Sequence, residues 1–473
     1  MKMRGIKTIN IHFIYGFHLM NVPPDLFVLL RSLIESEGEK DALPAVFRRY
    51  QLSTPYTTGF SAYLAINDPT IRLLACDEGK SDEVVIQDLH PSQSSAIHGV
   101  VGKLTRHLFL CANGIGSLTF DLSISPCGQA GSGNDGGMTL ESVLELLLLG
   151  EKVDEAAKRR RYAIAEDGEH QGKTLPEMFE QEVDDVIGGL SALPGGKPPR
   201  AICWLERDGD EFIVRHGIVQ KRPQEAAHDA RATDGNYQNP FVLTEIETES
   251  VETYRELLDT KGAEDTLPDS LEYIILRIGS SGVGTWKLDK GYMARHGVNI
   301  NTGAYRNFYP SEYLYINLHF RSSLIVYPQL QDDTVKPVAE TIERFRSALH
   351  DTLSLLLARW QFLVITHAYV DELLEFFYES WCTHGISDDT VAVTEQMVSV
   401  RMTVARALES PLVFRCAASS LNELHRVGSH IFEIENLQRA LVEKLSQFRM
   451  IVDDCLYAER LRDRMATRGP AKT

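Results

Sequence analysis

The sequence predicts an α+β protein, with a β-rich antiparallel N-terminal portion followed by a long-helix, coiled-coil-like C-terminal bundle. Three observations carry this. In Ser117-Leu118-Thr119-Phe120-Asp121-Leu122-Ser123-Ile124 polar and apolar residues alternate strictly, the two-residue period of a strand with one buried and one wet face. Between residues 338 and 379, Phe345, Leu349, Leu353, Leu356, Trp360, Leu363, His367, Val370, Leu374 and Phe377 follow one another at steps of four and three. Ile434, Leu437, Leu441, Leu445, Phe448, Val452 and Leu456 repeat the pattern in the closing segment. A sustained 3.5-residue period implies helices that wind around other helices rather than lie on a globular core.

The elements follow in order. Residues 6 to 20 read as an opening strand, and Pro23-Pro24 starts a helix over 25–36 with Leu26, Leu29, Leu30 and Leu33 on one face. Strands are expected at 70–76, 83–88 and 106–112. Asn113-Gly114 is a type I′ turn signal that makes 106–124 a hairpin. A Gly-rich loop (126–137) leads into a leucine-rich helix over 138–150. The stretch 151–200 is charged, broken by Gly and Pro, and reads as a variable segment between two β-rich units. Sheet resumes at 201–205 and 211–216 around the Asp208-Gly209 turn, and 222–240 reads as a linker. A hairpin is expected at 271–289 and one apolar strand at 313–327, before Pro337 opens the long helix. The organisation is thus a first domain (1–150), the variable segment (151–200), a second β-rich portion (201–330) and a helix bundle (338–468). Gly114-Ile-Gly-Ser-Leu-Thr-Phe-Asp121 echoes Gly282-Val-Gly-Thr-Trp-Lys-Leu-Asp289, which raises a duplication of the β-rich unit as one explanation and chance as the other.

With 473 residues, 43% hydrophobic and 24% charged, the chain is long enough for two or three domains. A formal charge of -18 and a pI near 5.3 weigh against broad nucleic-acid binding, which needs a basic face. Seven scattered cysteines without a C-x-x-C pair read as thiols in a reducing compartment. The best candidate for a membrane span, 353–370, carries Arg359, Gln361 and His367, so the expectation is a soluble, cytoplasmic protein with no membrane span.

Motifs for chemistry are few. Gly114-x-Gly116 and Gly282-x-Gly284 precede strands, where glycine serves a turn or bulge, whereas a phosphate-binding loop leads into a helix. If a ligand does bind between the β halves, Asn113, Gly114, Gly116, Arg277, Gly282, Gly284 and Lys287 are its candidate lining. No H-E-x-x-H and no paired Cys/His spacing occurs among the fifteen histidines, so no metal site is predicted and no cofactor is assigned. The acidic run Glu180-x-Glu182-x-Asp184-Asp185 reads as a solvated helix face, and Lys158–Arg161 as a basic surface feature. His367 sits on the seam, either fixing register or as a hydrogen-bonded interior histidine. Trp360, Leu363, His367, Leu437 and Leu441 are the predicted helix-packing positions.

Arg106 to Leu122 (RHLFLCANGIGSLTFDL), Tyr313 to Val326 (YLYINLHFRSSLIV), Leu355 to Phe376 and the final helix together give the chain a family likeness. A β-rich N-terminal region followed by very long helices resembles the cytoplasmic part of CorA-type magnesium transporters, and more closely the divergent bacterial CorA-like proteins of unknown function. The resemblance covers about two thirds of the chain. It implies a cytosolic sensor body that oligomerises through long helices. No Gly-Met-Asn tripeptide occurs and no paired C-terminal spans follow, so no pore residue carries over and ion conduction is not expected.

The expected function is therefore a non-enzymatic assembly or sensing protein, homo-oligomeric or bound to a partner protein through its C-terminal helices. The alternatives are a nucleotide- or ion-responsive effector or enzyme with a site between the β halves, and an accessory subunit of a bacterial membrane or defence complex.

Overall fold

The structure, a computed structural model, describes residues 6–19, 24–36, 43–48, 50–52, 70–75, 83–88, 100–111, 115–125, 140–150, 162–166, 172–193, 202–207, 210–215, 218–221, 240–258, 305–319, 322–330, 336–409 and 419–467. In chain order these form β1 (Ile6–His18), α1 (Pro24–Glu35), α2 (Ala45–Arg48), β2 (Tyr50–Leu52), β3 (Thr70–Ala75), β4 (Glu83–Asp88), β5 (Val101–Cys111), β6 (Ile115–Ile124), α3 (Leu140–Leu147), β7 (Tyr162–Glu166) and α4 (Leu175–Ala192). Then come β8 (Ile202–Arg207), β9 (Asp210–Arg215), β10 (Ile218–Lys221), β11 (Phe241–Thr248), α5 (Val251–Leu258), β12 (Tyr305–Ser311), β13 (Leu314–His319) and β14 (Ser322–Pro328). Four helices close the chain: α6 (Lys336–His384), α7 (Asp388–Glu409), α8 (Ser419–Ile431) and α9 (Ile434–Thr467).

The α+β class holds. Eleven strands join in one sheet, in the order β12-β13-β14-β11-β1-β6-β5-β3-β2, with β4 pairing β5 and β7; β8 to β10 form a separate three-stranded sheet. The main sheet departs from a purely antiparallel one at a single described pair, because β11 runs parallel to β14. The expected strand at 313–327 is two strands, β13 and β14, turned back on each other. The segment expected to be variable (151–200) supplies β7, which pairs with β4, and the 18-residue α4. A capping box starts α4: Thr174 Oγ1 accepts from Glu177 N–H and Glu177 Oε2 accepts from Thr174 N–H. The helix then buries Leu175, Phe179, Val183, Val186 and Leu190. The basic run 158–161, the hairpin at 271–289, its sequence echo and nearly all of 222–240 lie outside the described residues.

Both faces of the sheet are covered, so the two-residue period of its strands divides each between two cores. Ile9, Ile11, Phe13, Tyr15 and Phe17 of β1 enter a core lined by α1 to α4. Ile14 enters another, shared with α6 to α9. Strands β11 and β14 divide the same way, Val242, Ile246, Leu324 and Val326 facing the first core and Phe241, Leu243, Ile325 and Tyr327 the second. The polar side of 117–124 is consequently not wet: Ser117 and Thr119 are buried.

Helix α6 has 49 residues and is about 70 Å long at 1.5 Å per residue. Of its ten stripe positions, Leu349, Leu353, Leu356, Leu363, Val370 and Phe377 are buried, and Trp360, His367 and Leu374 are partly so. What it packs against differs from the expectation. In a single core it meets sheet residues Phe241, Leu243, Ile316, Leu318 and Ile325 as well as helix residues Val393, Met397, Val427, Leu441 and Phe448. A sheet face and a partner helix ask for the same apolar stripe, so the heptad step alone does not separate them. Gly385, at φ +70°, ends α6 with its N–H donated to the Trp381 carbonyl. Glu433, in a left-handed conformation (φ 51°), makes the sharp link between α8 and α9. That link drives the fully buried Phe432 between Phe241 and Trp360, with ring centroids 5.8 and 5.9 Å away.

Candidate functional site: an ionic cluster between sheet and long helix

Over the first third of α6, the apolar lining is interrupted by titratable side chains. Strand register sets the arrangement. On β1, His12 lies directly across from Asp121 of β6 and from Leu243 of β11, so Glu245 stands diagonally beside it. His107 of β5, across from Thr119, takes the other diagonal to Asp121. From α6, Arg346 and His350 are four residues apart and so share one helix face, which looks down on Glu245. Five separate segments thus meet at one place.

Asp121 is shared by two imidazoles. Its Oδ1 lies 2.5 Å from His12 Nδ1 and its Oδ2 lies 2.6 Å from His107 Nε2. Glu245, with no exposed side-chain surface, accepts from His350 Nε2 at 2.8 Å on Oε1 and from Arg346 Nη2 on Oε2. The second imidazole nitrogen of His12, Nε2, comes no closer to Glu245 Oε2 than 3.7 Å, and is buried without a hydrogen-bond partner among the described residues. The His12 and His350 rings stand edge to face, 4.3 Å between centroids. The Arg346 guanidinium also covers the Tyr327 ring of β14 at 4.1 Å.

Burial opposes every charge here, and the neighbours decide the outcome. Burial alone would push the His12 imidazole down; the Asp121 carboxylate, aided by Glu245, overrides it and raises it to about 10. For Asp121, burial pulls upward, but His12 and His107 hold its carboxyl well below the ordinary range. Glu245 is likewise held low against burial by His350, His12 and Arg346. His350 goes the other way: burial and the positive charge on His12 lower it, against the pull of Glu245. Of two adjoining imidazoles, one carries the charge and one stays neutral. The two carboxylates, Asp121 and Glu245, are balanced by the His12 imidazolium and the Arg346 guanidinium.

One group of His, Cys, Asp or Glu side chains among the described residues has metal-ligand spacing. His12, Glu245 and His350 each offer an atom within 4.8 Å of the other two. Sequence reading missed it. His12 and Asp121 were visible as members of alternating strands, but β11 was not recognised as a strand at all. Both of its faces are buried, so Phe241-Val242-Leu243-Thr244-Glu245-Ile246-Glu247-Thr248 has no clean alternation, and its two glutamates resemble loop residues. The available signal was a histidine, His12, set on the polar phase of a strand otherwise rich in Ile and Phe.

The residues singled out from sequence fall elsewhere. Gly116 is in β6, and a Cβ there would meet the Phe17 ring at 2.4 Å, so glycine is needed for close packing. Asn113, Gly114, Arg277, Gly282, Gly284 and Lys287 lie outside the described residues. Trp360, Leu363, Leu437 and Leu441 belong to or pack against the second core. His367 is an interior histidine, its Nε2 donating to the Leu437 carbonyl at 2.8 Å and so tying α6 to α9. In the acidic run of α4, Asp184 and Asp185 are exposed, whereas Glu182 is buried and accepts from the Tyr50 hydroxyl at 2.5 Å.

Compared with known proteins, the chain matches no family model and none of the curated proteins. No helix among the described residues is long and apolar enough to cross a membrane.

Proposed function

We propose that this is a non-enzymatic sensing and assembly protein. The ionic cluster under α6 is its sensing element, and the helical arm is the surface through which it joins a second copy or a partner protein. One observation carries the reading. Glu245, fully buried on β11, is gripped by Arg346 and His350 of the same helix that packs against α7 and α9. A change of charge at the cluster alters how α6 sits on the sheet, and a rigid helix transmits that to its far end. Buried charges make poor glue, because apolar residues of similar size give as much stability. Six titratable side chains in a core therefore fit a switch better than a brace.

The arm itself supports assembly. Val391, Val398 and Met402 of α7, and Met450, Tyr457 and Leu461 of α9, recur at helical spacing with 40–63% of their surface exposed. Light scattering behind size exclusion tests this. A discrete homo-oligomer that Met450→Glu with Tyr457→Glu dissociates supports the reading. A monomer at every concentration, with no protein retained by the arm, sinks it.

A second reading, a nucleotide- or ion-responsive enzyme, has one observation in its favour. Asp121 orients two imidazoles at once, an arrangement suited to moving a proton. A thermal-shift screen with nucleotides separates the two readings. Stabilisation by a nucleotide that disappears in His107→Gln favours the enzyme, and a flat response favours assembly.

A further inference from the structure

We infer that His12, Glu245 and His350 form a binding site for one divalent transition-metal ion, which bridges the two central strands to the long helix. This deepens the sensing reading, on which it rests for its role, by naming the ligand class the cluster takes.

The ligand set is the first argument. Two imidazoles and one carboxylate suit a first-row divalent ion such as zinc better than magnesium or calcium, which prefer oxygen. Spacing is the second. A tetrahedral ion with bonds near 2.0–2.1 Å holds its ligand atoms about 3.3 Å apart. Here His350 Nε2 lies 2.8 Å from Glu245 Oε1 and His12 Nε2 3.7 Å from the other oxygen, Oε2, and one ligand atom of each residue is within 4.8 Å of the others. Small rotations about side-chain bonds close the set.

The third argument is independent of both. His12 Nε2 is buried in a side chain only 9% exposed, aims at Glu245, and has no hydrogen-bond partner among the described residues. A buried polar nitrogen without a partner is costly, and a metal ion would satisfy it. Its other nitrogen, Nδ1, is fixed on Asp121, which itself is anchored by His107. That carboxylate–imidazole pairing is how metal-bound histidines are oriented and made more basic. Arg346 stays on Oε2 of Glu245 while Oε1 faces His350. Binding releases the imidazole protons that occupy the ligand nitrogens and leaves the fourth tetrahedral position to water.

The test uses the full-length chain, stripped with chelator and reloaded with zinc or cobalt(II). One equivalent of zinc should survive gel filtration, and cobalt(II) should give the intense visible absorption of a low-coordinate nitrogen–oxygen site. His350, with 19% of its side chain exposed, is more accessible than His12, and His350→Gln should abolish both while circular dichroism stays native. Asp121→Asn should weaken zinc roughly 10–100-fold. Failure to retain any zinc or cobalt by a folded wild-type chain, or binding unchanged by both His350→Gln and His12→Gln, overturns the site. The sensing reading fails separately. If metal binds at these residues but neither metal nor substitution changes the oligomer, the site stands and its sensing role falls. If no metal binds yet substitution at the cluster still changes assembly, the metal site falls and the sensing role stands.

Discussion

The two faces of the main sheet are built from the same strands and differ in what they bury. On one, α1 to α4 close over Ile11, Phe13, Phe120 and Leu122, and the buried carboxylate of Glu182 is met by the neutral Tyr50 hydroxyl, with Arg106 3.9 Å away. On the other, α6 closes over Phe241, Leu243, Ile316, Leu318 and Ile325, but beside them lie two carboxylates, three imidazoles and a guanidinium from five segments. Both faces are packed, so stability alone does not call for the difference. A face that needed only to be covered would look like the first. The paired charges on the second face are the observation on which the proposed switch and metal site rest.

Breaking the polar face should cost most. Glu245→Ala removes the buried carboxylate that Arg346 and His350 both bond, and chemical denaturation should report a loss of about 3–5 kcal/mol. The sharper version replaces Glu245, Arg346 and His350 together by Leu, Met and Leu. If the cluster is not there for stability, this triple variant should recover most of the loss, and lose any response to metal.

Leu363→Ala tests the apolar part of the same face. Leu363 is fully buried on the seam, so its truncation should cost about 2–5 kcal/mol. A near-zero change in melting would show that the seam is not packed as described.

A smaller effect comes from His425 on α8, whose imidazole is lowered to about 4, first by burial and then by the Arg359 charge. In the unfolded chain it takes up a proton near pH 6.5, whereas in the folded protein it does so only near 4. Its contribution is therefore fully present above pH 6.5 and is lost as the pH falls from 6.5 toward 4. The stability of the wild type relative to His425→Phe should fall as the pH is lowered over that window. A difference independent of pH would contradict the assignment.

The least effect is expected at the rim of the arm. Lys444 bonds Asp371 at 2.6 Å, but Asp371 is mostly exposed, so Lys444→Ala should change stability by less than about 1 kcal/mol.

The comparison also explains what was legible in the sequence. The pairing of β5 and β6 was readable because strict alternation and the Asn-Gly turn signal are local, and α6 was readable because its stripe continues for many turns. The meaning of the polar phase in 117–124 was not, since Ser117, Thr119 and Asp121 look the same whether they face water or a covering helix. Strand β11 escaped because burial on both faces erases alternation. The capping box Thr174/Glu177 was a local signal for α4, hidden in a stretch whose charge suggested a solvated segment. The cluster depends on register between strands more than 100 residues apart in the chain, for which no spacing motif exists.

Light scattering of the full-length chain beside His350→Gln tests most directly whether the cluster governs the arm. The account predicts a discrete oligomer for the wild type and a different mass or association constant for a variant with the same circular dichroism. Two identical masses across a wide concentration range would contradict it.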